Sequence, residues 1–264
     1  MAIALHLVTT LLLALMLFGG LWVLAQITRD PSFVDAFWAF GIVLLALASF
    51  ALADGWAPRQ LLIAGLTAFW GGRLGAHLFT RWRREGPDRR YRQLLAGARE
   101  KRGWSYARTT ALFIFAPQAV LMWVTSLPAQ LGQIAATPDS FGPLAWAGLT
   151  LAVFGIAFET VADVQLARFK ARPGNAGKVM DRGLWAWSRH PNYFGEACAW
   201  WGIWLIAAET TPGLFAILGP AFLTFTLTRW SGAPLLERGL SNTRPGYAEY
   251  VARTPAFIPR PPKR

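Results

Sequence analysis

The chain has 264 residues, of which 54% are hydrophobic and only 15% charged. Its 14 tryptophans and 18 phenylalanines bring more apolar surface than a water-soluble domain of this length can hide. The formal net charge is +12, yet the cations fall in blocks between long apolar runs and no nucleic-acid motif accompanies them, which sets nucleic acid aside as a partner.

Crossing the hydrocarbon core of a bilayer takes about 20 apolar residues. Residues 3–27 form the first such run, uncharged and with His6 near its start. The run has no basic leader and is too long for the apolar part of a signal peptide, so it reads as a spanning helix. Asp30-Pro31 breaks it. A second helix is expected over about 33–53, with Asp35 at its start, and Asp54-Gly55 with Pro58 supplies a turn. The third, about 60–82, carries Arg73 and His77 at i and i+4, on one face. A polar, very basic segment occupies 83–108. The fourth and fifth helices are expected at about 109–127 and 141–169, followed by a cationic loop, 170–189. Two further apolar stretches lie at about 193–208 and 213–230, and residues 231–264 are polar and rich in proline. The pattern predicts an all-α, polytopic membrane protein of about seven transmembrane helices in a single domain.

Ten Lys/Arg fall in 81–108, six in 168–189 and seven in 229–264. With seven helices, these segments follow the third, fifth and seventh and share one face. The positive-inside rule makes that face cytoplasmic, the N-terminus periplasmic and the C-terminus cytoplasmic, in a plasma membrane.

Three polar clusters stand out. The densest runs from Asp181 to Glu196 and holds Arg182, Arg189, His190, Asn192, Tyr193 and Glu196 immediately before an apolar stretch. Arg189 and His190 suit a phosphate or carboxylate, Asn192 falls where a helix N-cap would sit, and Glu196 lies one turn inside. The structural alternative is interfacial anchoring by Trp, Tyr and Arg. A second cluster is Glu159, Asp163, Arg168, Lys170 and Arg172. Glu159 and Asp163 share a helical face, to hold donors such as ribose hydroxyls or to pair with the cations that follow. Arg229, Glu237, Tyr247 and Tyr250 form a third. Within the bundle, Asp35, Arg73 and His77 are candidates for catalysis, with an Asp35–Arg73 ion pair as the structural alternative. His6, His77 and His190 lie far apart in sequence, so no metal centre is expected. The lone Cys198, in an apolar stretch, reads as packing.

The run Gly183-Leu-Trp-Ala-Trp-Ser-Arg-His-Pro-Asn-Tyr-Phe-Gly-Glu196 resembles the signature of the bacterial DUF1295 family, grouped with the steroid 5-alpha-reductases. Asp163…Arg168-Phe-Lys170…Pro173-Gly174 and Tyr247-Ala-Glu-Tyr250…Phe257-Ile-Pro259 fit the same pattern. The resemblance implies a seven-helix fold that binds NADPH in a cytosol-facing cavity, with residues 1–140 forming the substrate-side helices and 141–264 the cofactor-binding region. Asp163, Asn192, Glu196 and Arg229 would then contact the cofactor, with Lys170 and Arg172 near a phosphate-binding position. Arg168, Lys178, Arg189, His190, Tyr193, Glu237 and Tyr250 complete the expected cofactor set, and Glu237 stands where the eukaryotic reductases carry a tyrosine. Those reductases hold the substrate ketone with a glutamate and a tyrosine on early helices. Here Asp35 is the best early acid, and Trp70 falls about where the tyrosine would be.

The implied reaction is reduction of the C=C bond of an enone lipid, such as a 3-oxo-Δ4-steroid, in a monomer of the bacterial inner membrane. The hydrophobic substrate and membrane lipid are its expected partners. Asp35, Arg73 or His77 would stabilise the enolate. The Arg-His-Pro-Asn-Tyr segment also resembles membrane methyltransferases that use S-adenosylmethionine. That cofactor carries no phosphate, whereas the six cations of one loop suit a dinucleotide. A lipid-binding scaffold, with basic loops gripping anionic headgroups, is the non-enzymatic alternative.

Overall fold

The computed structural model describes residues 3–262, apart from the side chains of Arg89, Arg90 and Arg99. The chain divides into two compact units, Met1–Gly142 with Ala207–Leu218, and Pro143–Ile206 with Gly219–Arg264. Among the described residues every regular element is helical. This is the economy a bilayer imposes, since a helix satisfies its own backbone polar groups.

In the first unit, α1 (Ile3–Thr28) and α2 (Val34–Leu52) are joined by a tight turn. Arg29 adopts a left-handed φ of 56° there, and Asp30 accepts hydrogen bonds from the Ser32 backbone N–H at 2.8 Å and hydroxyl at 2.6 Å. Then come α3 (Ala57–Glu85), α4 (Arg89–Arg102), α5 (Tyr106–Thr125), α6 (Leu127–Leu131) and, from the returning segment, α9 (Thr211–Phe215). Around α1, Leu5, Val8, Leu12, Met16, Val23 and Ile27 are exposed. An apolar surface this continuous is stable only against lipid or another apolar partner. At one end of the unit Arg59 is fully buried and donates to the carbonyls of Gly132 at 3.2 Å, Pro138 at 2.9 Å and Ala135.

The second unit contains α7 (Pro143–Lys170), α8 (Pro191–Ala207), α10 (Leu218–Phe225) continuing into a π-turn (Thr226–Trp230), α11 (Ala233–Thr243) and α12 (Tyr247–Arg253). The backbones of α7 and α8 touch. A Cβ on Gly155 would lie 2.3 Å from the Ala199 nitrogen and 2.5 Å from the Gly195 oxygen. One on Gly202 would lie 2.4 Å from the Ala152 nitrogen. Small residues at such a seam allow the dense packing that holds helices together in lipid.

Five segments are long and apolar enough to cross a membrane: α1, α2, α5, α7 and the segment Thr211–Thr243. The stretches expected as the third and sixth spans are helical, α3 and α8, but neither is among these five: α8 has only 17 residues and α3 carries several arginines. Two expectations change. The basic segment 83–108 contains a helix, α4, and the Pro-rich tail contains α11 and α12. In both, an amphipathic face organises a sequence whose overall composition is polar.

Gly155→Ala is expected to cost about 1–3 kcal/mol, because the new methyl meets backbone that cannot yield. Gly65→Ala, where nothing lies within 4 Å of the new methyl, should be neutral or gain up to about 1 kcal/mol. Thermal unfolding of the two variants in the same detergent checks the contrast.

Candidate functional site

The polar cluster of the second unit is built outward from the α7–α8 seam. Glu159 and Asp163, one turn apart on α7, are both buried. The Asn192 side-chain amide donates to Asp163 Oδ1 at 3.3 Å. This corrects the expectation that Asn192 caps the helix. The helix begins a residue earlier, at Pro191, where a residue without an N–H fits the first turn, and the Asn192 side chain is turned to α7. Tyr193 and Glu196 are half-buried in the first turns of α8, and the Tyr193 ring stacks on His190 at 5.3 Å between centroids.

Ahead of α8, the segment 184–189 is pinned from two sides. Gln165 accepts from the Leu184 N–H at 2.9 Å, and the Trp185 indole donates to the Ala162 carbonyl at 3.0 Å. From the C-terminal side, the Tyr250 phenol donates to the Trp185 carbonyl at 2.5 Å. The Ser188 hydroxyl donates to the Phe257 carbonyl at 2.8 Å, and the Arg260 N–H to the Trp187 carbonyl at 2.9 Å. The Arg189 N–H donates to the Pro255 carbonyl at 2.9 Å, while its guanidinium donates to the Thr254 carbonyl at 2.7 Å and to both oxygens of Glu237, at 2.9 and 3.2 Å. His190 Nε2 shares a hydrogen bond with Glu237 Oε1 at 2.8 Å. Glu237 is thus an internal anion that engages both Arg189 and His190. Burial pushes the Tyr247 phenol up to about 12, with the nearby Glu237 carboxylate adding to the effect. Tyr250 is raised further, again chiefly by burial. Both phenols are therefore neutral at physiological pH.

The remaining cations of the expected cofactor set face outward. Arg168, Lys170, Arg172 and Lys178 are exposed, as is Arg229 in the π-turn, a helix irregularity frequent at functional sites. Lys178 and Tyr250 line an open cavity of about 640 Å³, together with Asp181, Arg182, Glu249 and Arg253. Asp181 and Arg253 are ion-paired across it.

In the first unit, Arg73 and His77 lie half-buried on α3, and Trp70 is fully buried. Asp35 is half-buried, and the Tyr91 phenol donates to its Oδ1 at 2.5 Å. Gln118 Nε2 in turn donates to the Tyr91 oxygen at 3.3 Å. Sequence reasoning missed Tyr91, which comes from α4, inside what reads as a solvated basic segment. The signal available was the i, i+4 spacing of Tyr91 with Leu95, which is buried.

Fold and site together define an all-helical protein with several apolar helices of membrane-crossing length and a buried acid–amide cluster at the head of one helix pair. Residues 21–254 match the family described as "Protein of unknown function (DUF1295)", and the chain belongs to that family. The resemblance carried by residues 183–196 is borne out at this level. The chain is also 26% identical over 290 residues to "Uncharacterized protein C594.04c" of Schizosaccharomyces pombe, a match covering 96% of this chain and 79% of the yeast protein. No solved structure matches the chain significantly.

Glu237→Gln removes the anion that Arg189 and His190 share. We expect a loss of roughly 1–3 kcal/mol, since the pair is largely but not fully buried. Tyr250→Phe deletes one hydrogen bond and should cost about 1 kcal/mol. Thermal unfolding gives both values, and limited proteolysis should show the tail after residue 253 becoming cleavable first.

Proposed function

We propose that this protein is an NADPH-dependent reductase of the C=C bond of an enone lipid, related in chemistry to the reduction of 3-oxo-Δ4-steroids. The observation that carries the reading is the Asp163–Asn192 pair at the head of α8, with exposed Arg168, Lys170, Arg172 and Lys178 in the same unit. A buried carboxylate suits ribose hydroxyls or a carboxamide, and exposed cations suit phosphates. The donor set therefore fits a phosphorylated dinucleotide. With Arg189 and His190 engaged by Glu237, phosphate neutralisation falls to the exposed loop cations, with Lys178 and Arg182 at the open cavity. Asp163, Asn192, Glu196 and Arg229 would hold the sugar and nicotinamide portions.

When bound, the cofactor supplies a hydride to the enone β-carbon, and a proton then adds at the α-carbon. The chain must meanwhile stabilise negative charge on the ketone oxygen. Asp35, Arg73 and His77 are the proposed donors, Asp35 only in its protonated form, and Tyr91, whose O–H is donated to Asp35, would join them by turning that O–H to the ketone. Gln118 and Asp35 hold the phenol oxygen in place, so only its O–H would have to turn from the carboxylate to the ketone.

The same reading includes a topology. We take α3 and α8 as further spans, making seven, with the N-terminus periplasmic and the C-terminus cytoplasmic in a monomer of a bacterial plasma membrane. Cysteine-accessibility labelling in intact cells would check this, with residue 264 labelled only after lysis.

Calorimetric titration of the purified protein with NADPH and S-adenosylmethionine tests the cofactor. Binding of NADPH alone is expected, and Asn192→Ala and Glu196→Ala should abolish it. With testosterone, progesterone or androstenedione as substrate, Tyr91→Phe is expected to lower kcat about 10²–10³-fold with binding of NADPH unchanged. A protein that ignores NADPH and takes the methyl donor overturns the proposal.

A further inference from the structure

We propose that α4 and the turn that follows it form a docking surface for anionic phospholipid headgroups. With 14 residues, α4 is about 21 Å long, too short to cross a bilayer. It stands between two helices of membrane-crossing length, α3 and α5, with 29 and 20 residues. Such a helix lies along the membrane surface. Its inner face is fixed by buried Leu95 and by Tyr91, which donates to Asp35. The outward side chains include the cations Arg92, Lys101 and Arg102 and the apolar Leu94, with Glu100 as the single acid of the helix. Cations beside exposed apolar side chains are the pattern of an interfacial helix that sits among headgroups.

The turn after α4 adds a second, independent feature. Arg102 and Arg108 both stack on Trp104, at 5.0 and 4.3 Å from its ring. Trp104 packs on Phe113 at 5.7 Å, and Arg102 also lies 5.2 Å from that ring. Phe113 belongs to α5, so the two guanidiniums are held on an aromatic platform at the mouth of a spanning helix. Tryptophan at that depth is an interface anchor, and stacked guanidiniums keep their N–H groups free for phosphate oxygens. A cation set fixed at headgroup height, with little opposing charge, fits an anionic leaflet. Because the same helix delivers Tyr91 to Asp35, bound lipid would also hold that contact. The inference requires nothing of the proposed reaction.

The test uses the full chain in detergent, titrated with phosphatidylglycerol or phosphatidylcholine, reading retained lipid by native mass spectrometry and Tm by thermal unfolding. Phosphatidylglycerol should bind about tenfold or more tighter than phosphatidylcholine and raise Tm, both effects fading as salt rises. The combined variant Arg92→Gln/Lys101→Gln/Arg102→Gln/Arg108→Gln should lose the preference. If that variant does not fold, Arg92→Gln/Lys101→Gln should lose part of it, since both side chains are exposed. Arg238→Gln/Arg260→Gln, on another basic segment, should keep it. The proposal fails if the wild type shows no preference, if the α4 variants retain it in full, or if the control pair loses as much.

Discussion

Helix backbones come into contact only where neither helix interposes a side chain, and the second unit is organised by such a contact. Gly148, Ala152 and Gly155 on α7 lie against Gly195, Ala199 and Gly202 on α8, with would-be Cβ positions 2.3–2.5 Å from the opposing backbone. In lipid no hydrophobic force draws two apolar helices together, so close packing has to do it. The seam also sets a register. Gly195 lies against the backbone of Glu159, its would-be Cβ 2.5 Å from that nitrogen. One turn further along α7, Asp163 then meets Asn192. The acid–amide pair follows from where the glycines fall, and a shift of one residue in that register would separate it.

Glu237 divides the cations of the second unit into two kinds. Arg189, only 11% exposed, is held by both carboxylate oxygens and by a tail carbonyl, and so is structural in its geometry. A bidentate guanidinium–carboxylate pair in this setting fixes orientation as well as charge. It locks the segment leading into α8 to α11 and to the tail, and the stacking of His190 on Tyr193 extends that order into the first turn of α8. Arg168, Lys170, Arg172 and Lys178, at the end of α7 and in the loop after it, are exposed. Charge available to a ligand therefore differs from charge counted in sequence, since Glu237 takes up Arg189 and Asp181 takes up Arg253.

Apolar runs are legible because lipid demands them. The ends of α1 and α2 lie two residues before the breaks marked by Asp30-Pro31 and Asp54-Gly55. The pairing of Glu159 with Asp163 on one helical face was likewise readable from spacing. What escaped were features that composition hides. Arginine-rich α4 and the proline-rich tail read as solvated segments, although each carries a helical face. Contacts distant in sequence left no local trace. Tyr91 with Asp35 and Arg189 with Glu237 are 56 and 48 residues apart. Asn192 was misassigned because its residue type suits a cap, while Pro191 already starts the helix.

The distribution of charge bears on how many helices cross the bilayer. If only the five most apolar segments crossed, the basic segments 81–108, 168–189 and 229–264 would follow the second, fourth and fifth spans. The last would then face the opposite side from the other two, and seven cations would lie on the side that the positive-inside rule keeps poor in them. With α3 and α8 added, the same segments follow the third, fifth and seventh spans and fall together. On the proposed seven-span reading, Arg59 lies near the N-terminal end of α3 and Arg81, Arg83 and Arg84 at its C-terminal end, where long side chains reach the interface, which leaves Arg73 as the one arginine within the crossing. The 17 residues of α8 span about 25 Å, a few ångströms short of the hydrocarbon thickness. On the proposed seven-span reading, local thinning would cover such a gap at a fraction of a kcal/mol per ångström, while the three basic segments stay on one side.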